Sequence, residues 1–353
     1  MKYSKNHRNQ FFLGLKELVE MYFRESNHSM FGNYKILLKA IVLLLIYFLA
    51  YLNIFRSDNS FASLALSYIV IGLSGVMIVF NIVHDASHDA LFETKKLNNY
   101  ARYLGDIVGI NTYIWDIRHN IQHHTFTNIL GGDLIIEQVP LIRLSQHQQY
   151  KTYHRYQPYY APILYMFYSF YWMMVIDFKL FQKKEICNLK NIKHPKTEWI
   201  KLIAFKLFYL FYILIVPWLF TSLSFLQVLG LFFIMHLAAG SLLSIVALLG
   251  HFVDGPSFPE PVNGLIDNSW SEHELEATID FAPNSRVINW ITGGLNTHVA
   301  HHLFPKICHI HYYKITSIIA QYCNHNGYPY KKESLLNAMI SHLRYLKKCS
   351  KPK

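Results

Sequence analysis

Residues 61–88 read FASLALSYIVIGLSGVMIVFNIVHDASH, and the architecture turns on them. The first part, residues 61–80, carries no charge, which suits a segment crossing hydrocarbon. As one α-helix the whole stretch would run about 42 Å, against a hydrocarbon core of about 30 Å. The surplus lifts His84 and His88, one turn apart on one face, clear of the lipid. The reading is a spanning helix whose end presents a pair of imidazoles.

Three further stretches have the same character. Residues 36–55 read ILLKAIVLLLIYFLAYLNIF, with Lys39 able to snorkel at the end. Residues 202–220, with Lys206 and Pro217, and residues 223–250 complete a set of four spans joined in pairs by short turns. The last is overlong, like 61–88, and carries His251 out on the same side. Residues 160–178, YAPILYMFYSFYWMMVIDF, are long enough to cross but crowded with Tyr and Trp, which favour the interface. If they crossed alone, the histidines near residue 300 would lie across the membrane from those near 84, so an interfacial position is expected.

Composition agrees. Apolar residues make up 52% and charged ones 16%, below the roughly 25% of soluble domains. The expected fold class is all-α: a polytopic membrane protein with four transmembrane helices and a cytoplasmic helical cap carrying a metal site. The expected division is residues 1–35 as an N-terminal segment, 36–325 as the main domain and 326–353 as a basic tail. In the first, Phe11, Phe12, Leu15, Leu18, Val19 and Tyr22 suggest a helix lying on the membrane surface. The polar, basic start has no apolar core directly after it, so no cleavable signal peptide is expected.

The net charge is +11, yet no groove-reading motif or basic arm points to nucleic acid. Seven Lys or Arg fall in residues 1–40, thirteen in 81–200 and ten in 251–353, whereas the two short loops on the opposite side hold only Arg56. By the positive-inside rule all the histidine clusters face the cytoplasm, in an integral, multi-pass protein. The basic surface suits membrane lipid head groups and an acidic electron-transfer partner. Cys187, Cys308, Cys323 and Cys349 form no C-x-x-C pair and suit a reducing compartment.

Two more histidine clusters accompany His84 and His88: His119, His123 and His124 in HNIQHH, and His298, His301 and His302 in HVAHH. With His251 they make nine. Neutral imidazole suits Zn, Cu, Fe or Ni. One ion has too few positions for nine ligands, so two ions are the economical reading. On an α-helix the second cluster spreads over about 140°, too wide for one ion but suited to bridging two. The set contains no Cys and no Glu-x-x-His pair, against structural zinc and the carboxylate di-iron bundle. His236, in mid-span, reads as a neutral interhelical hydrogen-bond partner. His147, His154, His194, His273, His309, His311 and His325 lack the spacing and read as surface or structural. Asp85, Asp89, Asn128 and Asp254 are candidates for fixing imidazole tautomers.

HDASH, HNIQHH and HVAHHLFP, in this order and separated by paired spans, resemble the three histidine boxes of the membrane fatty acid desaturases. NTHVAHHLFPKICHIHY after GGL, VPLIR and the Tyr-rich run near YAP look closest to the acyl-lipid and linoleoyl-CoA desaturase-like branch. The resemblance covers roughly residues 60–325. It implies a non-haem di-iron centre that uses O2 to remove two hydrogens from adjacent carbons of a fatty acyl substrate, whether CoA-, carrier protein- or lipid-linked. It makes His84, His88, His119, His123, His124, His298, His301 and His302 iron ligands, and His251 in LGHFVD matches the family's additional ligand.

The chain departs from that pattern in three places. His298 stands where the branch often carries Gln, and Ala300 replaces an acidic residue. His194-Pro195 continues as Lys196-Thr197 rather than the His-Pro-Gly-Gly haem motif of a fused cytochrome b5 domain. A separate electron donor, such as ferredoxin or cytochrome b5, is therefore expected. Two rivals accompany this reading: a membrane di-iron hydroxylase or ketolase, and a histidine-rich metal transporter. The LFP continuation favours desaturation over the first. The position of the histidines beyond the span ends, not at mid-membrane, argues against the second.

Overall fold

The computed structural model describes residues 1–4, 9–137 and 139–352. It is built almost entirely from helices. In chain order the main ones are α1 (Gln10–Ser26), α2 (Tyr34–Asn53), α3 (Phe61–Ser87), α4 (Lys95–Ile107), α5 (112–123), α6 (Thr152–Met166) and α7 (Tyr168–Phe181). There follow α8 (Lys196–Phe220), α9 (Phe225–Leu249), α10 (Trp270–Ala277), α11 (Arg286–Thr292), α12 (His298–Leu303), α13 (Tyr312–Asn326) and α14 (Leu335–Cys349). Strands among the described residues form two parallel two-residue pairs, Lys2–Tyr3 with Leu265–Ile266 and Asp280–Phe281 with Lys332–Glu333, beside two isolated antiparallel bridges, Ile186 with Leu189 and Val262 with Leu265.

Four helices, α2, α3, α8 and α9, are long and apolar enough to cross a membrane, with mean hydropathy between 2.1 and 2.3. Three of their starts are defined by side chains that satisfy otherwise unpaired N–H groups. Asn33 caps α2 and Ser60 caps α3, while Ser224 and Gln227 form a reciprocal capping box on α9. α3 lies at the centre, packed against both α2 and α9. Gly72 permits the second contact, because a Cβ there would overlap the carbonyl oxygen of Met235. Gly240 does the same for α9 against Met166 at the end of α6.

The Tyr- and Trp-rich piece is not one straight helix. α6 and α7 meet at Phe167 with a bend of 67°, and both pack on α9. His236, on α9, binds Ser169 Oγ through Nδ1 at 3.0 Å and Tyr209 OH through Nε2 at 3.2 Å. It is the interhelical partner that its mid-span position suggested.

Two segments differ from the sequence reading. The apolar face of α1 is not left to the lipid: Phe11, Leu15 and Val19 are buried against Val299, Leu303, Ile315 and Ile319 of α12 and α13. Helical periodicity shows that one face is apolar but not what covers it. The stretch 326–353, expected as a basic tail, holds α14, whose Tyr345, Leu346 and Cys349 pack with Ile142 and Phe252. Arg143 fastens its end, donating from Nη1 to the carbonyls of Cys349 at 2.9 Å and Lys351 at 2.7 Å. Arg344, Lys347 and Lys348 sit on the exposed face of this amphipathic helix.

Two of the histidine-bearing helices contain a wide turn. Residues Val79–Val83 in α3 and Ile117–His123 in α5 are π-helical, a rare geometry that recurs at functional sites.

Candidate metal centre

The three histidine clusters and His251, remote in sequence, converge on one buried volume. His84 and His88 arrive at the end of α3, directly after its π-turn. α5 brings His119, His123 and His124. Its wide turn replaces α-helical bonding with an i to i−5 bond, from His124 N–H to His119 O at 3.1 Å. Residues five apart therefore share a face, and His119 Nε2 lies 3.2 Å from His124 Nε2. The spread of about 140° expected for an α-helix is narrowed accordingly. His123 points the other way, its Nε2 lying 3.1 Å from His251 Nε2.

Two four-histidine groups result, each with its ring nitrogens within 4.8 Å of one another. The first is His84, His88, His119 and His301; the second is His123, His251, His298 and His302. His124 sits between them, forming a third set with His301 and His302. His119 thus stands in one group, His123 in the other and His124 between them.

α12 carries three of these rings, and its position is fixed from outside. Asp280 Oδ1 accepts the Val299 N–H at 2.9 Å, and Tyr330 OH donates to Oδ2 at 2.6 Å. Burial pushes the Asp280 carboxyl up to about 7. At the adjacent end of α9, Gly250 lies flat against the His298 ring, which a Cβ there would overlap. Gly250→Ala is therefore expected to displace His298 and lower the bound metal per chain while leaving the helix content unchanged. Metal analysis beside circular dichroism of the purified variant checks this.

The donor set suits a transition metal. Burial pushes His88, His119, His124, His251, His301 and His302 well below the usual imidazole range, and their histidine neighbours push the same way. His298 is lowered to about 3 for the same reasons. Neutral imidazole is the ligating form. Among the described residues, His88 Nε2, His302 Nε2 and both nitrogens of His301 are buried with no hydrogen-bond partner, each costing about 1–3 kcal/mol if left so. His251 and His298 even bring two Nε2 atoms within 2.6 Å. A cation in each group would take up the inward lone pair of each ring, one nitrogen per imidazole.

Of the tautomer-fixing candidates, one reaches the cluster's edge. Asp85 Oδ1 is 3.9 Å from His84 Nδ1, while its Oδ2 accepts from His309 Nδ1 at 2.7 Å and from Cys308 Sγ at 3.0 Å. Lys39 Nζ donates to His309 Nε2 at 3.2 Å, and this ammonium opposes a further cation at the Asp85, Cys308 and His309 group. Asp89 instead pairs with Lys95 at 3.9 Å. The Asn128 amide binds the carbonyls of Ser257 and Ala277, and Asp254 binds Ser341 through its backbone.

Two carboxylates that sequence reasoning missed do this work. Asp133 Oδ2 accepts from His123 Nδ1 at 2.9 Å, and Glu274 Oε2 from His302 Nδ1 at 2.6 Å. The one signal for Asp133 is its place behind Gly131-Gly132, ten residues after His123. Glu274 lies in the charged run SEHELE, which reads as a solvated helix, and carries no such signal. His309 and His273, read as surface or structural, are both buried and hydrogen-bonded.

An apolar cavity opens onto the cluster, lined by Phe80, Trp115, Leu243, Val246 and Leu295 with five of the histidines. A second lies deeper among α2, α3, α7, α8 and α9 and shares Trp172 and Leu243 with the first.

Known proteins are similar in sequence to this chain over most of its length. A family model described as fatty acid desaturase matches residues 59–334. The sn-1 linoleoyl-lipid 6-desaturase of Arthrospira platensis is 33% identical over 290 residues, covering 81% of this chain and 77% of that protein. The protein of the same name from a Synechocystis species is 32% identical, covering 96% and 94%. The acyl-lipid (8-3)-desaturase of Physcomitrium patens is 28% identical, covering 99% and 73%.

Proposed function

The chain belongs to the fatty acid desaturase family, and on that basis we propose that it is an O2-dependent desaturase of lipid-linked acyl chains, working through a di-iron centre held by the nine histidines. That it is an oxidoreductase of the fatty acid desaturase type follows from the family and the named relatives. One observation carries the finer reading: two buried four-imidazole groups, turned inward on one another, at the end of an apolar cavity. Relatives named for acyl-lipid and linoleoyl-lipid substrates support the lipid-linked form.

An unactivated C–H bond offers no acidic proton, so acid–base side chains cannot remove its hydrogens. Iron held by these rings would supply the O2-dependent oxidising chemistry that the reaction needs. The chain's own residues do the rest. His84, His88, His119 and His301 would hold one ion, His123, His251, His298 and His302 the other, and His124 would stand between. Trp115, Leu243, Val246 and Leu295 give the acyl chain an apolar seat against the rings and exclude water from it. The deeper cavity continues that seat among the membrane helices.

The same proposal covers orientation and partners. The histidine-bearing layer, with α1, α5 and α10 to α14, forms a cap on the cytoplasmic side, because the Lys and Arg residues concentrate there. Residues 36–325 form the desaturase domain, to which α1 and α14 are docked. A separate ferredoxin- or cytochrome b5-type protein delivers electrons to the basic face.

Mass spectrometry of total fatty acids from cells expressing the chain tests the reading. A new double bond in membrane lipids is expected, absent from a His301→Ala control. Oxygenated chains in its place would overturn desaturation in favour of hydroxylation.

A further inference from the structure

The two halves of the centre differ in what stands behind the rings. In the second group every outer nitrogen has an acceptor. His123 Nδ1 has Asp133 at 2.9 Å and His302 Nδ1 has Glu274 at 2.6 Å. His298 Nδ1 has the Leu295 carbonyl at 2.9 Å, and His251 Nδ1 has the Ala277 carbonyl at 3.2 Å. All four rings are thereby fixed in one tautomer, with Nδ1 carrying the proton and Nε2 turned inward.

In the first group, among the described residues, the rings lack such acceptors. His84 Nδ1 is buried without a partner, and neither nitrogen of His301 has one, while the inward Nε2 atoms of His84 and His119 meet at 3.0 Å. Asp85, the carboxylate beside this group, stands 3.9 Å from His84 Nδ1, beyond hydrogen-bond reach. Its Oδ2 is engaged by Cys308 and His309.

We propose that the two metal positions are inequivalent. The group His123, His251, His298 and His302 is a preorganised, tight site that fills first. The group His84, His88, His119 and His301 is the looser one, and Asp133 and Glu274 are the positioning residues that create the difference. The inference rests on the di-iron reading. An imidazole whose outer N–H donates to a carboxylate is a stronger donor and has lost its rotational freedom before the metal arrives, so it ligates more tightly. Thr127 extends the arrangement: its hydroxyl binds Glu274 Oε2 at 2.8 Å and its carbonyl accepts from His273 Nε2 at 2.8 Å.

The full-length chain, purified in detergent and stripped of metal, would be titrated anaerobically with Fe(II). The wild type is expected to bind one equivalent tightly and a second at least about tenfold more weakly. Glu274→Gln keeps an acceptor of the same shape but removes the charge. It should weaken the first step by about 10–100-fold and leave the second within about twofold. Asp133→Asn, on a different segment, should do the same and guards against a local folding fault in either variant. Two equivalents bound with equal affinity would overturn the inequivalence and leave the di-iron reading standing. So would a Glu274→Gln effect shared equally by both steps. Failure to bind any Fe(II) tightly would overturn the di-iron reading itself.

Discussion

His301→Ala is expected to stop desaturation: the new double bond should fall by at least about 100-fold, with loss of bound iron. His301 belongs both to the first four-histidine group and to the set with His124 and His302 between the groups. Its ring centre lies 4.4 Å from that of His84 and 4.5 Å from that of His124. It is fully buried, and among the described residues both nitrogens are without a hydrogen-bond partner, so the fold gains no polar contact from this side chain. Alanine removes two buried unpaired polar atoms from a short, externally anchored helix, and the fold should persist. His325→Ala, at the exposed end of α13, should leave product unchanged. Fatty acid analysis with iron determination on both proteins checks the pair. Product from His301→Ala above about a tenth of the wild-type level would show that His301 is not part of the reacting centre.

The second large effect lies on α8, one of the four helices long and apolar enough to cross a membrane. Lys206 on α8 donates to Asp177 Oδ2 at 2.6 Å and to the Gly109 carbonyl at 2.6 Å, and both side chains are buried. Asp177 also accepts from the Asn111 N–H at 3.1 Å and from Trp172 Nε1 at 2.9 Å. The Asn111 side chain in turn caps the first turn of α5, the helix that carries the second histidine cluster. Lys206→Met leaves a carboxylate without its cation in apolar surroundings, which costs about 3–5 kcal/mol. A fall in the thermal midpoint on the order of 10 °C in detergent is expected, with lower metal content as α5 loses its anchor. Lys206→Met combined with Asp177→Asn should recover most of that stability, because the lone charge is gone. A double variant no more stable than the single one would show that the pair's hydrogen bonds, not its charge balance, hold the site.

Both predictions depend on positions that are legible in the sequence to different degrees. The four spans are readable because a bilayer demands long, nearly uncharged helices, and 61–80 admits no other reading. All nine histidines are readable as well, since repeated imidazoles at helix-face spacing just beyond apolar spans have few other uses. That two groups share His119, His123 and His124 follows from the wide angular step between them. The exact partition does not, because it depends on a π-turn that no residue in HNIQHH announces.

Amphipathic α1 and α14 have one apolar face each, but sequence periodicity is silent about what meets that face. Packing assigns both to the protein interior. Lys206 and Asp177, separated by Lys183, Lys184 and a run of polar residues, look like two unrelated charges until α7 and α8 are set side by side. Asp133 and Glu274 are out of reach for the same reason. A carboxylate becomes a histidine's partner only when two segments of the chain are brought within about 3 Å, and that distance is a property of the fold. Hydropathy and spacing alone specify a helical protein with four helices long and apolar enough to cross a membrane and nine imidazoles clustered near helix ends. Which imidazoles stand together, what holds each ring, and the different support of the two halves of the centre come from packing, because hydrogen-bond partnership depends on distances that no local spacing encodes.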